Sequence, residues 1–233
     1  VRDLDLVQRK IQRLEKLAKS GDKEYKRQIG VLEKLAEHIE NFRNVRDFEI
    51  DPEDKKRIVD DMYLLTAKPI MYVCNVDDEA AASGNKYSEA VQLALKDVDT
   101  EVIVIAGNLE ADIAELDDEA DRNEFLSDAG LTEPGVNRMI RSAYRLLNLE
   151  SFFTAGPKEV RAWTVKKGST APVAAGVIHS DLERGFIRAE VIKYDDFIKY
   201  GSEHACKEAG KFHIEGKNYI VQDGDMLNIR FNV

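Results

Sequence analysis

The sequence predicts an α/β protein, with a helical segment ahead of its sheet and a small α+β module behind it. Three observations lead there. Two short apolar runs, at 70–76 and 101–106, flank a helical pattern at 87–95, the strand–helix–strand order of a parallel crossover. Residues 1–46 carry apolar side chains at helical spacing, and residues beyond 152 turn to short alternating runs broken by glycine.

Leu4, Val7, Ile11, Leu14 and Leu17 recur every three or four residues and form one helical stripe. Ser20-Gly21-Asp22 interrupts it, and Tyr25, Ile29, Leu32, Leu35, Ile39 and Phe42 resume it. Two long helices joined by a tight turn fit an antiparallel coiled-coil hairpin over 1–46, and an ordinary helix pair fits as well. Arg9, Lys10, Arg13, Lys16, Lys19, Lys23, Lys26 and Arg27 gather around the hairpin tip. They read either as a solvated face or as a contact for an anionic partner.

The second region, 47–150, opens with Asp51-Pro52-Glu53. Proline suits a first helical turn and acids suit its positive end, so a short helix to about residue 64 is expected. Pro69 opens the first strand. Acid-rich helices follow the second strand at 109–115 and 117–128, then one at 135–148. Both strands read as buried on two faces. Two strands cannot cover themselves, so this region reads as the C-terminal portion of a longer α/β domain.

In the third region, 151–233, residues 160–165 alternate, Lys167-Gly168 is a turn, and 186–192 alternate again. Residues 194–200 and 203–209 read as helices closed by Gly201 and Gly210. Tyr219-Ile220-Val221 and 226–231 are expected to form a hairpin around Asp223-Gly224-Asp225.

Net charge is −10, divided as +4 over 1–46, −15 over 47–150 and +1 over 151–233. The acidic middle repels polyanions, so DNA is not an expected partner, while the basic ends leave local RNA contact open. No apolar run is long enough for a membrane span. Cys74 and Cys206, far apart, read as reduced thiols of a cytoplasmic protein.

Asn75 ends the first strand, and Asp78 follows three residues later. Ligands of open α/β sheets bind beyond the carboxyl ends of strands. An Asn amide there sets a donor beside an acceptor, which suits a purine edge, and a carboxylate accepts from ring or exocyclic N–H groups. The phosphates would need a glycine-rich loop ending in Lys-Ser/Thr. Gly130 and Gly135 have that spacing, but Val136-Asn137 follows them. The chain therefore reads as half of a nucleotide site, inactive as a hydrolase by itself. His204 and Cys206 sit two apart in a helical pattern and make a poor metal pair. His179 with Asp181 reads as a loop-ordering pair, and His38 and His213 as structural or surface groups.

Specific runs carry a family resemblance. Arg161-Ala162-Trp163-Thr164-Val165-Lys166-Lys167-Gly168, Ala174-Ala175-Gly176-Val177-Ile178-His179-Ser180-Asp181 and Gly185-Phe186-Ile187-Arg188-Ala189-Glu190-Val191 resemble the C-terminal TGS module of the Obg-like ATPases, the YchF family. Asn218-Tyr219-Ile220-Val221-Gln222-Asp223-Gly224-Asp225 and Asp3-Leu4-Asp5-Leu6-Val7 continue the resemblance over the whole chain. It implies a P-loop NTPase domain of the Obg-related class, an inserted helical coiled-coil hairpin and an appended β-grasp TGS domain. It also implies binding and hydrolysis of ATP in preference to GTP, with Mg²⁺, and association with ribosomes in translational or stress control.

That family reads the base with Asn-x-x-Glu, and Asn75-Val76-Asp77-Asp78 stands there. Asn75 would bind the purine edge and Val76 would pack on the ring. Asp78 departs from the family's Glu and leaves the choice between ATP and GTP open. Ala106 and Gly107, after the second strand, would bring a backbone N–H to the base, and a plain strand-to-helix turn fits them equally. The phosphate loop and the Mg²⁺ ligands fall on none of these residues. The alternative class is a non-catalytic ribosome or RNA-binding module that uses the hairpin tip and the C-terminal module.

Overall fold

The computed structural model describes residues 1–19, 22–98, 100–156 and 159–232. The expected turn at Ser20-Gly21 lies outside them. Two compact units are present, Val1–Ile70 and Met71–Val233.

In the first unit, helices α1 (Arg2–Ala18) and α2 (Lys23–Glu40) pack through the expected stripe, with Val7, Leu14, Leu32 and Leu35 buried. Asp22 caps α2 by accepting from the Glu24 N–H. The unit runs on to Ile70 instead of ending at 46, because the acidic segment that follows supplies a third leg. Its Val45, Ile58, Val59 and Leu64 close over the helix pair. This leg is α3 (Pro52–Asp54), continued by a π turn at Lys55–Val59 and a 3₁₀ turn at Asp60–Met62.

Three expectations change here. Phe42 does not continue the stripe: α2 stops at Glu40, and Phe42 sits in the left-handed region (φ 59°), 99% exposed. Lys10 is not part of the exposed basic face. It is buried, donating from Nζ to the Ile58 carbonyl (2.7 Å) and to Asp61 Oδ1 (2.6 Å). Arg27 is held by a two-pronged contact with Asp54.

Asp3 is also buried, its carboxylate accepting from the Leu65 N–H (2.8 Å), the Thr66 N–H (2.7 Å) and the Thr66 hydroxyl (2.8 Å). Burial pushes its pKa up, but the bonds from Thr66 and Leu65 and the nearby N-terminal charge outweigh this and hold it below its ordinary value. A depressed folded pKa stabilises the fold above the unfolded pKa, and that contribution is lost as pH falls through the folded value. Asp3→Asn is therefore expected to lower the urea midpoint of this unit at pH 7. The gap to wild type should narrow in acid below about pH 4, and a gap constant down to pH 2 would contradict this.

In the second unit, β1 (Met71–Asn75) and β2 (Glu101–Ile105) pair in parallel, from Met71 opposite Glu101 to Asn75 opposite Ile105. Helix α4 (Lys86–Ala94) lies between them in sequence, its start closed by a reciprocal cap of Asn85 and Ser88. After β2 come α5 (Gly107–Glu115), α6 (Glu119–Asp128) and α7 (Gly135–Leu146). Ala81, Ala106, Leu109, Ile113 and Leu126 form a small core beside the sheet. Burial on both faces does not hold for β1, where Tyr72 and Val73 are exposed, since a two-stranded sheet cannot cover its own faces.

The chain then builds a five-stranded sheet from β3 (Leu149–Ala155), β4 (Val160–Lys166), β5 (Phe186–Lys193), β6 (His213–Glu215) and β7 (Asp225–Phe231), in the order β4-β3-β7-β5-β6. β7 is parallel to β3 and antiparallel to β5. Phe152, Val165, Ala189, Val191 and Leu227 face helix α8 (Ala171–Ile178), whose Ala171, Ala174 and Ala175 let it lie close to the strands. A short helix α9 (Ser180–Arg184) follows, then α10 (Tyr194–Tyr200) and α11 (Glu203–Glu208) before β6.

The expected hairpin between 219–221 and β7 is not formed. Ile220 bridges Thr170 instead, and the Val221 N–H donates to the Ser169 carbonyl. The cause is Asp225, fully buried, which gathers the Lys193 ammonium (2.6 Å), the Tyr219 hydroxyl (2.8 Å) and the Gln222 N–H (2.9 Å).

Candidate purine-base site

β1 and β2 run in parallel, so both finish at one edge of their sheet. The Val76 N–H donates to the Ile105 carbonyl at 2.9 Å, holding the two outgoing loops together. Asn75 is exposed, and its Oδ1 accepts from the Gly107 N–H at 2.9 Å. Gly107 is the first residue of α5, and Ala106 before it makes no side-chain cap. The cap of this helix therefore comes from the neighbouring strand, and the Asn75 amide is held in one orientation, its Nδ2 without a partner among the described residues. A Cβ on residue 107 would stand 3.1 Å from Asn75 Oδ1, so glycine permits the approach.

Val76 is half-buried against the core of Ala81, Ala106 and Leu109. Asp78 opens a 3₁₀ turn, Asp78–Ala80, and its carboxylate makes no hydrogen bond or ion pair among the described residues. Of the sequence candidates, then, Asn75, Val76, Ala106 and Gly107 meet at the strand ends, and Asp78 stands exposed on the first of the two loops.

One residue of this neighbourhood escaped the sequence reading. Glu110, on α5, accepts from the first two amides of α7, Gly135 (2.6 Å) and Val136 (3.2 Å). An acid at a helix's positive end is favourable, and Pro134-Gly135 without a capping side chain was the available signal. Arg138 of α7 also donates to the Val104 carbonyl of β2 at 3.1 Å.

No three His, Cys, Asp or Glu side chains converge as metal ligands among the described residues. His204 is exposed while Cys206 is buried, so the two do not pair. His179 Nδ1 accepts from the Asp181 N–H at the start of α9, an ordering role. His38 contacts the Asn44 carbonyl, and His213 is exposed on β6. In the first unit, Arg9, Arg13, Lys16, Lys19, Lys23 and Lys26 are exposed and make no ion pair among the described residues. No helix is long and apolar enough to cross a membrane among the described residues.

Residues 149–232 match the family model YchF-GTPase_C, described as a protein of unknown function (DUF933). Over 231 residues, 99% of this chain, the sequence is 51% identical to the Ribosome-binding ATPase YchF of Haemophilus ducreyi, of which it covers 63%. Over 233 residues it is 44% identical to the Ribosome-binding ATPase YchF of Bacillus subtilis, again covering 63% of that protein. Among solved structures, the Schizosaccharomyces pombe YchF GTPase superposes with a TM-score of 0.86 at 28% identity, over 98% of this chain and 62% of that one. A GTP binding protein from Pyrococcus horikoshii OT3, at 21% identity and a TM-score of 0.51 over 78% of this chain and 53% of that one, shares the fold. The chain thus spans about 63% of the length of the curated relatives it matches.

Proposed function

We propose that this chain, which belongs to the YchF family, supplies the base-reading edge of a ribosome-associated purine nucleotide hydrolase acting in the cytoplasm. One observation carries the reading: an exposed Asn amide, oriented by Gly107, stands where two parallel strands end. Asn75 takes the purine edge, Val76 lies against the ring, and Ala106-Gly107 shape the second wall. In this reading the helix pair is the inserted coiled-coil hairpin of a P-loop NTPase, and the five-stranded sheet is a β-grasp TGS domain.

These residues hold the base, and the hydrolysis of ATP or GTP belongs to the whole protein. The sequence contains no glycine-rich phosphate loop, and among the described residues no acids converge on a site that fits Mg²⁺. The part played here is positioning: gripping the base sets the register of the phosphates for attack by water, a reaction governed by placement and charge stabilisation. Turnover of ATP and GTP by the whole protein tests this, and absence of turnover with both nucleotides would sink it.

The six exposed cations of the helix pair that make no ion pair among the described residues favour a second, compatible role, contact with ribosomal RNA. Binding of this kind releases counterions and falls with salt. The 233-residue chain is expected to pellet with ribosomes at low salt. Lys16→Glu/Lys23→Glu/Lys26→Glu should reduce the pelleted fraction several-fold, and equal pelleting of the two proteins would count against the role.

A further inference from the structure

We infer that the Gly107 N–H sets the purine preference of this edge by fixing which way the Asn75 amide faces. The inference rests on the proposed base-binding reading and adds a positioning group to it. Only one orientation of the amide lets Oδ1 accept from Gly107. The flipped amide would turn its NH₂ toward that N–H, donor against donor, and would lose the bond. Gly107 cannot turn away. The Ile105 carbonyl is held by Val76, and the Ala106 carbonyl already accepts from the Glu110 N–H at 3.0 Å. Ala106 offers no side-chain cap, so a flip would also strip the helix start of its partner.

The two common purines make opposite demands on this amide. Adenine presents its N6 amine beside the acceptor N7, whereas guanine presents two acceptors, O6 and N7. An amide oxygen has two lone pairs, so Oδ1 can serve Gly107 and an adenine amine together while Nδ2 donates to N7. Against guanine the same orientation sets oxygen on oxygen. The Asp78 carboxylate, without a partner among the described residues, pulls the other way, since it can accept from guanine's N1–H and N2–H₂. The preference for adenine is therefore maintained by the Gly107 bond against that pull.

Gly107→Pro removes this one donor and sets its ring against Asn75 Oδ1, which must give way. Residue 107 is the first of α5, where proline is tolerated, and Ala106 is already extended (φ −101°, ψ 103°). Gly107→Ala keeps the N–H and adds the same Cβ, 3.1 Å from Asn75 Oδ1, so it is the control for that crowding. Nuclear magnetic resonance titration of the 233-residue chain with adenosine and with guanosine, read at the Asn75 side-chain amide, gives the affinity ratio. Wild type and Gly107→Ala should favour adenosine, and Gly107→Pro should move the ratio about tenfold toward guanosine, the worth of one hydrogen bond. An unchanged ratio in Gly107→Pro, with the Asn75 signals still responding, overturns the lock and leaves the base site standing. No response of Asn75 to either nucleoside in the wild-type chain overturns both. If the proline variant does not fold, hydrogen exchange at Gly107 in wild type decides: protection supports the lock, and exchange as fast as a free amide overturns it.

Discussion

Asp225→Ala is expected to destabilise the five-stranded sheet by about 3 kcal/mol, the lower end of the range for breaking a buried ion pair. Asp225 is fully buried, and three donors from two stretches of chain converge on it: Lys193 from one, Tyr219 and the Gln222 N–H from the other. Truncation strands the Tyr219 hydroxyl and the Gln222 amide. Lys193, partly exposed and also bonded to Gln222 Oε1, can turn to water, which keeps the cost from the top of the range. Urea unfolding followed by Tyr and Trp fluorescence measures it, and a loss under about 1 kcal/mol would show the cluster to be replaceable.

The same cluster carries a pH signature. Burial pushes the Lys193 pKa down, but its bonds to Asp225 and Tyr219 outweigh this and raise it; burial and then Asp225 raise that of Tyr219. Groups with raised folded values contribute fully below their unfolded pKa, and the contribution is lost as pH rises through the folded one. Wild type should therefore lose its advantage over Lys193→Met above about pH 10, with no narrowing between pH 6 and 8.

Asn75→Ala is expected to do the reverse of Asp225→Ala, leaving the fold nearly intact while emptying the site of its chemistry. The side chain is exposed, and the Gly107 N–H it releases lies at an open helix start where water can replace it. The stability cost should stay near 1 kcal/mol, that of a lost helix cap. In the whole protein the loss of two base contacts should raise nucleotide KM about 10- to 100-fold. Since those contacts are made equally in ground and transition states, kcat should change little. An unaltered KM would remove Asn75 from the site.

The meeting of the candidate residues at the strand ends was legible because it follows from local pattern. An apolar run ending in Asn, a helix, and a second apolar run imply parallel strands finishing together, which brings Asn75 and Val76 beside Ala106 and Gly107. What pattern could not supply was contact over distance. The Asn75–Gly107 bond spans 32 residues and the Glu110–Gly135 bond 25, and no periodicity encodes either. The segment after Asp51 was legible as a short helix, but its place in the first unit was not: Ile58 and Val59 sit in a π turn, and Leu64 lies beyond the 3₁₀ turn that follows. Helix α8 showed no amphipathic face because Ala174 and Ala175 bury small side chains. Lys10 lies on the stripe, between Val7 and Leu14, and its charge masked a buried position that the spacing already indicated.

Glu110 makes the second unit a linked mechanism. Its single carboxylate grips both leading amides of α7, and α7 leaves through one left-handed residue, Asn148, straight into β3. Along the way Tyr144 meets Thr164, and the Leu147 carbonyl accepts from Lys166, both of them on β4. Helix α7 thus works as a strut clamped at both ends, and a tilt imposed on α5 at the strand ends has little slack to absorb it before the larger sheet feels the load.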